Sequence, residues 1–232
     1  IGLTALAASL VTTSAFAGEM SVAGSASMGV KNTTGTADPS SGKSWTMGNQ
    51  LTFSGGGELD NGLNVSLSFV LDQADDSTTG LANSPFDGHS VTISSDALGT
   101  LKFSGEGGSS AQSAMDTTAA GDIWNNGLGM ASVSAAAAGD NSLFYTLPAM
   151  MDGVAITASM SPGRAAQETH TSYGLVYTGV EGLTVKFGQG DSGAPGAEIE
   201  STTMMASYAI GSFTVSASNT EADKTGAANE EV

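Results

Sequence analysis

Leu63-Asn64-Val65-Ser66-Leu67-Ser68-Phe69 alternates apolar and polar side chains without a break, directly after the turn-forming Asp60-Asn61-Gly62. A period of two belongs to a β-strand, whose successive side chains point to opposite faces of a sheet. Leu71 and Asp72 continue the pattern, and only Val70 departs from it. Working outward, residues 20 to 31 place Met20, Val22, Gly24, Ala26, Met28 and Val30 on one parity. Ser21, Ala23, Ser25, Ser27, Gly29 and Lys31 fall on the other. Similar alternation recurs in 45–55, 91–95, 100–105, 142–147, 154–160, 169–178, 183–188, 201–210 and 213–219, about eleven strands in all.

The connections alternate in length. Long ones cover 32–43, 73–88, 106–140, 162–168 and 189–200, and another is expected to open at Thr220. Between them fall short turns: Glu58 to Gly62, Asp96-Ala97-Leu98-Gly99, Pro148 to Asp152, Gly179-Val180-Glu181-Gly182, and Gly211-Ser212. An up-and-down barrel gathers turns of one parity on one rim, so this pattern predicts an all-β, transmembrane, antiparallel barrel with tight turns on one side. Several strands have the nine to eleven residues, roughly, that a tilted strand needs to cross the hydrocarbon layer. The polar parity is mostly small and hydroxylated, as suits a wall lining water. Trp45, Phe53, Phe69, Phe103, Tyr145, Tyr173, Tyr177 and Phe187 share the apolar parity near strand ends and suit an interfacial girdle. A soluble β-sandwich alternates too, and an exported sandwich or surface adhesin is the competing architecture.

Twenty-three acids stand against six bases, giving a formal net charge of -17. The bases Lys31, Lys43, Lys102, Arg164, Lys186 and Lys224 are scattered, so the cationic patch that a nucleic acid needs is missing. Cysteine is absent, which removes disulfides, thiolate metal sites and cysteine nucleophiles. Residues 1–17 carry an apolar run through Val11 and end in Ala15-Phe16-Ala17, which reads as a signal peptide lacking its basic start. The mature barrel domain is then expected over 18–232.

Glu19-Met20-Ser21-Val22-Ala23-Gly24-Ser25-Ala26-Ser27-Met28-Gly29-Val30 after that Ala-Phe-Ala resembles the opening of Gram-negative porins of alphaproteobacterial type. The Leu63–Phe69 strand, the segment Ala97-Leu98-Gly99-Thr100-Leu101-Lys102-Phe103 and Gly121-Asp122-Ile123 in the third long loop are similar to them as well. The resemblance implies outer-membrane trimers of barrels of about sixteen strands. It also implies passive passage of small hydrophilic solutes and ions, with the third loop folded inward. Partners would be outer-membrane lipids, the permeants and two further copies of the chain. Ending at Glu230-Glu231-Val232, without a terminal aromatic strand, departs from the family plan, and a missing C-terminal part is expected.

The long third loop is the best place for function, since uninterrupted connections of this length are usually functional. Of its acids Glu106, Asp116, Asp122 and Asp140, the first three, set against Lys102, Lys186 and Lys31 on the polar parity, are the candidate constriction residues. Opposed charges across a narrow pore would sort permeants by charge and dipole, and the acidic balance points to cation preference. Gly188-Gln189-Gly190-Asp191-Ser192-Gly193 fits a dinucleotide-binding glycine pattern, but Ala194-Pro195-Gly196 cannot start the helix it requires. No cofactor is expected; carboxylate-rich rims could hold calcium loosely. The two histidines, His89 and His170, read as ordinary exposed residues. An outer-membrane barrel enzyme would have to build on His170 and the Ser172 hydroxyl, and no enzyme is expected.

Overall fold

A computed structural model describes residues 20–33, 42–72, 87–115, 135–137, 139–163 and 168–231. The expected signal segment 1–17 lies outside them. Twelve strands follow one another: β1 (Met20–Thr33), β2 (Gly42–Glu58), β3 (Asn64–Asp72), β4 (Gly88–Ser95), β5 (Gly99–Glu106) and β6 (Ser142–Thr146). Then come β7 (Val154–Ser161), β8 (His170–Tyr177), β9 (Leu183–Ala194), β10 (Ala197–Ile210), β11 (Phe213–Lys224) and the two-residue β12 (Glu230–Glu231). They form one sheet in sequence order, each paired antiparallel with the next. Among the described residues β1 and β12 do not pair, so both outer edges of the sheet are open.

A sandwich needs a second layer and a dry interior, and the described residues form neither. The buried apolar residues among those described are Ala111, Met115, Ala136 and Ala222, none of them on the apolar parity of a strand. Leu67 keeps 41% of its surface, Trp45 74% and Phe187 37%. Leucine, tryptophan and phenylalanine turned outward together from one sheet face make sense only when the surrounding medium is itself apolar.

The opposite face carries a hydroxyl row across its first six strands. The register Ser21–Ser54–Ser68–Ser90–Ser104–Ser142 sets six serines side by side across β1 to β6, and Ser21 and Ser54 share a hydrogen bond at 3.0 Å. A one-residue slip of β3 would put Leu67 or Phe69 in place of Ser68 in this row, so facing lipid on one side fixes the register.

The short turns form as their glycines require. Gly62, Gly99, Gly153, Gly182 and Gly211 all have positive φ. At Gly99, φ is +77° and a Cβ would lie 2.8 Å from the Pro148 nitrogen and press on the Thr146 carbonyl oxygen. Gly62 has φ +81° but open space around it. Gly99→Ala is therefore expected to cost about 2 kcal/mol, strain plus clash, and Gly62→Ala about 1 kcal/mol from strain alone. Urea unfolding midpoints in lipid vesicles check the order, and equal shifts would contradict it.

Two expectations about connections are corrected. The span 189–200 is not a long loop: β9 runs to Ala194 and β10 starts at Ala197, joined through Pro195 and Gly196. Pro195 pre-sets the first turn position, and Gly196, at φ +81°, supplies the second. Nor does a loop open at Thr220, because β11 continues to Lys224. Asp191, Glu198 and Glu200 are thus strand residues rather than loop acids. Their parity is that of Phe187 and Met204, so they turn outward at the rim.

Candidate functional site: a loop seated on the inner wall

Leaving β5, residues 108–115 turn back over the inner face of β7 to β10, and residues 135–137 rejoin them there on the way to β6. Paired amides and carbonyls of Gly108 and Gly139, at 3.2 and 3.1 Å, hold the two ends of this connection together. A tight turn follows, with the Ser110 and Ser113 hydroxyls each accepting the other's backbone N–H and the Ala114 amide bonded to the Ser110 carbonyl. Ser110, Ala111 and Gln112 have no exposed surface.

The wall beneath is built to receive them. Two register rows cross it: Ser159–Ser172–Gly190–Ser201–Ala222 and Thr157–Gly174–Gly188–Thr203–Thr220. The Ser159 and Ser172 hydroxyls lie 2.6 Å apart, and both accept the Ala111 amide, at 3.0 and 2.8 Å. Gln112 Nε2 donates to Thr203 Oγ1 at 2.7 Å, while its Oε1 accepts the Ala136 amide at 2.9 Å. The Ala137 amide reaches the Asp191 carbonyl at 2.9 Å.

Small side chains give the clearance. A Cβ at Gly174 would lie 2.9 Å from the Ala111 carbonyl oxygen, and one at Gly188 the same distance from Gln112 Cα. Gly188 and Gly190, which resemble part of a nucleotide motif in the sequence, are the places where loop backbone meets wall. Sequence reasoning missed this seat. Its one visible sign is the cluster of small residues on one parity of the two strands, Ser172 and Gly174 in β8 and Gly188, Gly190 and Ser192 in β9.

The expected constriction residues fall in different places. Lys102 is exposed on the inner parity of β5, in register with Thr92 and Phe144. Lys186 is half-buried on the inner parity of β9, between Val176 and Met205. Glu106 ends β5, on Lys102's own strand, with its carboxylate 3.8 Å from His89 Nδ1. Lys31 lies in β1 paired with Ser44, and its side chain is outside the described part. Asp116 and Asp122 lie outside the described residues.

His170 is not an ordinary exposed residue. Its side chain is 11% exposed, and Nδ1 lies 2.6 Å from Asp191 Oδ2. Ser172, the serine nearest to His170 on which an enzyme reading would build, is 1% exposed and bonded to Ser159 and to loop amides. Among the described residues no group of three or more histidines, cysteines and acids is arranged to hold a metal ion.

One antiparallel sheet, apolar toward its surroundings and with hydroxyl rows on the other face, where both described limbs of the third connection are seated, defines a membrane β-barrel. The chain belongs to the Gram-negative porin family, which its sequence matches over residues 2–231, and so to the bacterial outer membrane. No curated protein shows significant sequence similarity to it. Among solved structures it is similar to Salmonella typhi OmpF in complex with daunomycin, at 14% identity and a TM-score of 0.57, covering 88% of this chain and 66% of that one. A porin refined at 1.8 Å has 19% identity and a TM-score of 0.59, with 88% and 68% covered. The anion-selective porin from Comamonas acidovorans has 15% and 0.56, with 92% and 71% covered. The chain thus spans just under two thirds of the OmpF chain it matches, and at these identities the likeness carries the fold alone.

Proposed function

We propose that the full-length protein is a passive diffusion channel of the outer membrane for small hydrophilic solutes and ions, narrowed by its third long loop. The observation that carries this reading is the seating of Ser110–Met115 on the hydroxylic face of a sheet whose other face is greasy. An open sheet edge in lipid leaves N–H and C=O groups unsatisfied, so the strands have to close into a barrel. Family membership supports a homotrimer. Conduction rather than catalysis is the reading, because the Ser172 hydroxyl is taken up in holding the loop.

The net charge of -17 supports cation preference, since acids around a vestibule concentrate cations within a Debye length of roughly 10 Å. Fold does not set this sign, as the anion-selective Comamonas acidovorans porin shares the fold. We place Lys102, Lys186, Glu106, Asp116, Asp122 and Lys31 around the constriction, with the inner parity of the two strand lysines as support. In a planar bilayer under a salt gradient, the full-length protein is expected to give a cation-directed reversal potential, a permeability ratio above about 2. Lys102→Glu should raise it further. A reversal at zero, or directed to anions, rejects the preference; absence of conductance rejects the channel.

A further inference from the structure

A loop that narrows a bore has to be held at a fixed distance from the facing wall, and here one side chain bonds both to the wall and to the opposite limb of the loop. We infer that Gln112 is the positioning residue that pins the loop and so sets the width of the lumen, an inference that rests on the channel reading above. Gln112 has no exposed surface. Its Nε2 grips Thr203 on β10, and its Oε1 grips the amide of Ala136 on the returning limb of the loop. Thr203 is braced in turn by Thr220 Oγ1 of β11 at 3.0 Å. One side chain thus joins the outgoing limb, the returning limb and two strands of the wall. The other contacts do less. Ser159 and Ser172 hold backbone amides of the outgoing limb, and the Asp191 carbonyl holds the returning one.

The pin is uncharged, and its chemistry is specific. An amide side chain donates from one end and accepts at the other, which matches Thr203 Oγ1, accepting here, and the Ala136 N–H. Leucine of similar length can do neither. A protonated glutamic acid can do both, with its O–H toward Thr203 Oγ1 and its carbonyl toward the Ala136 amide. Ionised, it has lost the donor, and its charge sits where no water reaches. Burial raises the pKa of such a carboxyl above the ordinary range. Gln112→Glu is therefore a titratable copy of the pin: seated while neutral at low pH, released as rising pH ionises it.

The test uses the full-length protein in planar bilayers at about pH 5 and about pH 9, on either side of that raised pKa, with entry of neutral sugars of increasing size as second readout. Gln112→Leu is expected to shift the seated-to-displaced ratio by about 10- to 100-fold at both pH values. It should give larger conductance and admit larger sugars. Gln112→Glu should behave as wild type at the lower pH and as Gln112→Leu at the higher. If Gln112→Leu does not assemble, the pH reversal within Gln112→Glu decides the matter alone, a readout that a merely space-filling side chain would not move. Gln112→Glu with one conductance and one sugar cut-off at both pH values, or Gln112→Leu matching wild type, overturns the pin. A wild-type protein that conducts nothing overturns the channel reading instead.

Discussion

Leu67→Arg is expected to cost the folded protein about 2–4 kcal/mol, the range for arginine on the lipid face of an outer-membrane barrel at mid-depth. Ser68→Arg, one residue along β3, is expected to leave folding within about 0.5 kcal/mol of wild type. The difference is one of parity. Leu67 stands 41% exposed on the outward face, in register with Gly55 and Val91, and its row continues through Phe103 to Leu143. A guanidinium there has no counter-charge and no water. Ser68 lies in the serine row on the other face, where a long cation can extend into solvent. Ser68→Arg should still alter conduction, moving reversal toward anions, because it adds positive charge to the proposed lumen. Urea unfolding in lipid vesicles, combined with bilayer recordings, reads both effects. Equal destabilisation by the two substitutions would mean that the two faces have been assigned to the wrong media.

Gly190→Val is expected to drive the loop off its seat, with loss of about 3 kcal/mol, the upper part of the range for overpacking. A Cβ at this position runs into the Ser172 Cβ and would lie 2.8 Å from both the Ala136 Cβ and the Thr171 carbonyl oxygen. Two of these neighbours belong to the paired strand β8 and cannot retreat without breaking the ladder. Only Ala136, on the loop, is free to move. Added bulk at Gly190 therefore acts as a wedge beneath the returning limb. The expected signs are new protease cleavage between residues 107 and 141 and a larger single-channel conductance, from a sheet that still forms. Protection and conductance unchanged from wild type would show that the loop does not rest on Gly190.

Most of the sheet is legible in the amino-acid sequence. The period of two in Leu63–Phe69 and Met20–Val30 gave strand and face together, because alternation is a property of the extended backbone itself. The tight turns were legible at Gly62 and Gly99 for an equally local reason, since only glycine takes positive φ there at little cost. The segment from Gly188 to Gly193 misled for the same reason in reverse. Its composition is that of a turn, whereas in the sheet Gly188 and Gly190 keep strand pairing with β8 and β10 while leaving room for another backbone.

His170 shows a second kind of limit. In the sequence it reads as an ordinary exposed histidine, whereas in the structure it bonds to Asp191 on the neighbouring strand. Cross-strand partners depend on register, and a list of strands does not fix that. Likewise, the charge pattern marked Lys102 and Lys186 as inner-wall residues, which parity alone could place. It could not say that Glu106 ends a strand beside His89.

The sequence by itself determined an all-β membrane protein, its two faces, its turn glycines and the approximate bounds of most strands, because each follows from interactions within a few residues. Only the tertiary structure decided where the third loop lies and what holds it. Gln112 and Thr203 are 91 residues apart, and Ala111 and Ser172 are 61 apart. Their meeting depends on the pairing of every strand between β6 and β10, and no local pattern of side chains records the sum of those registers.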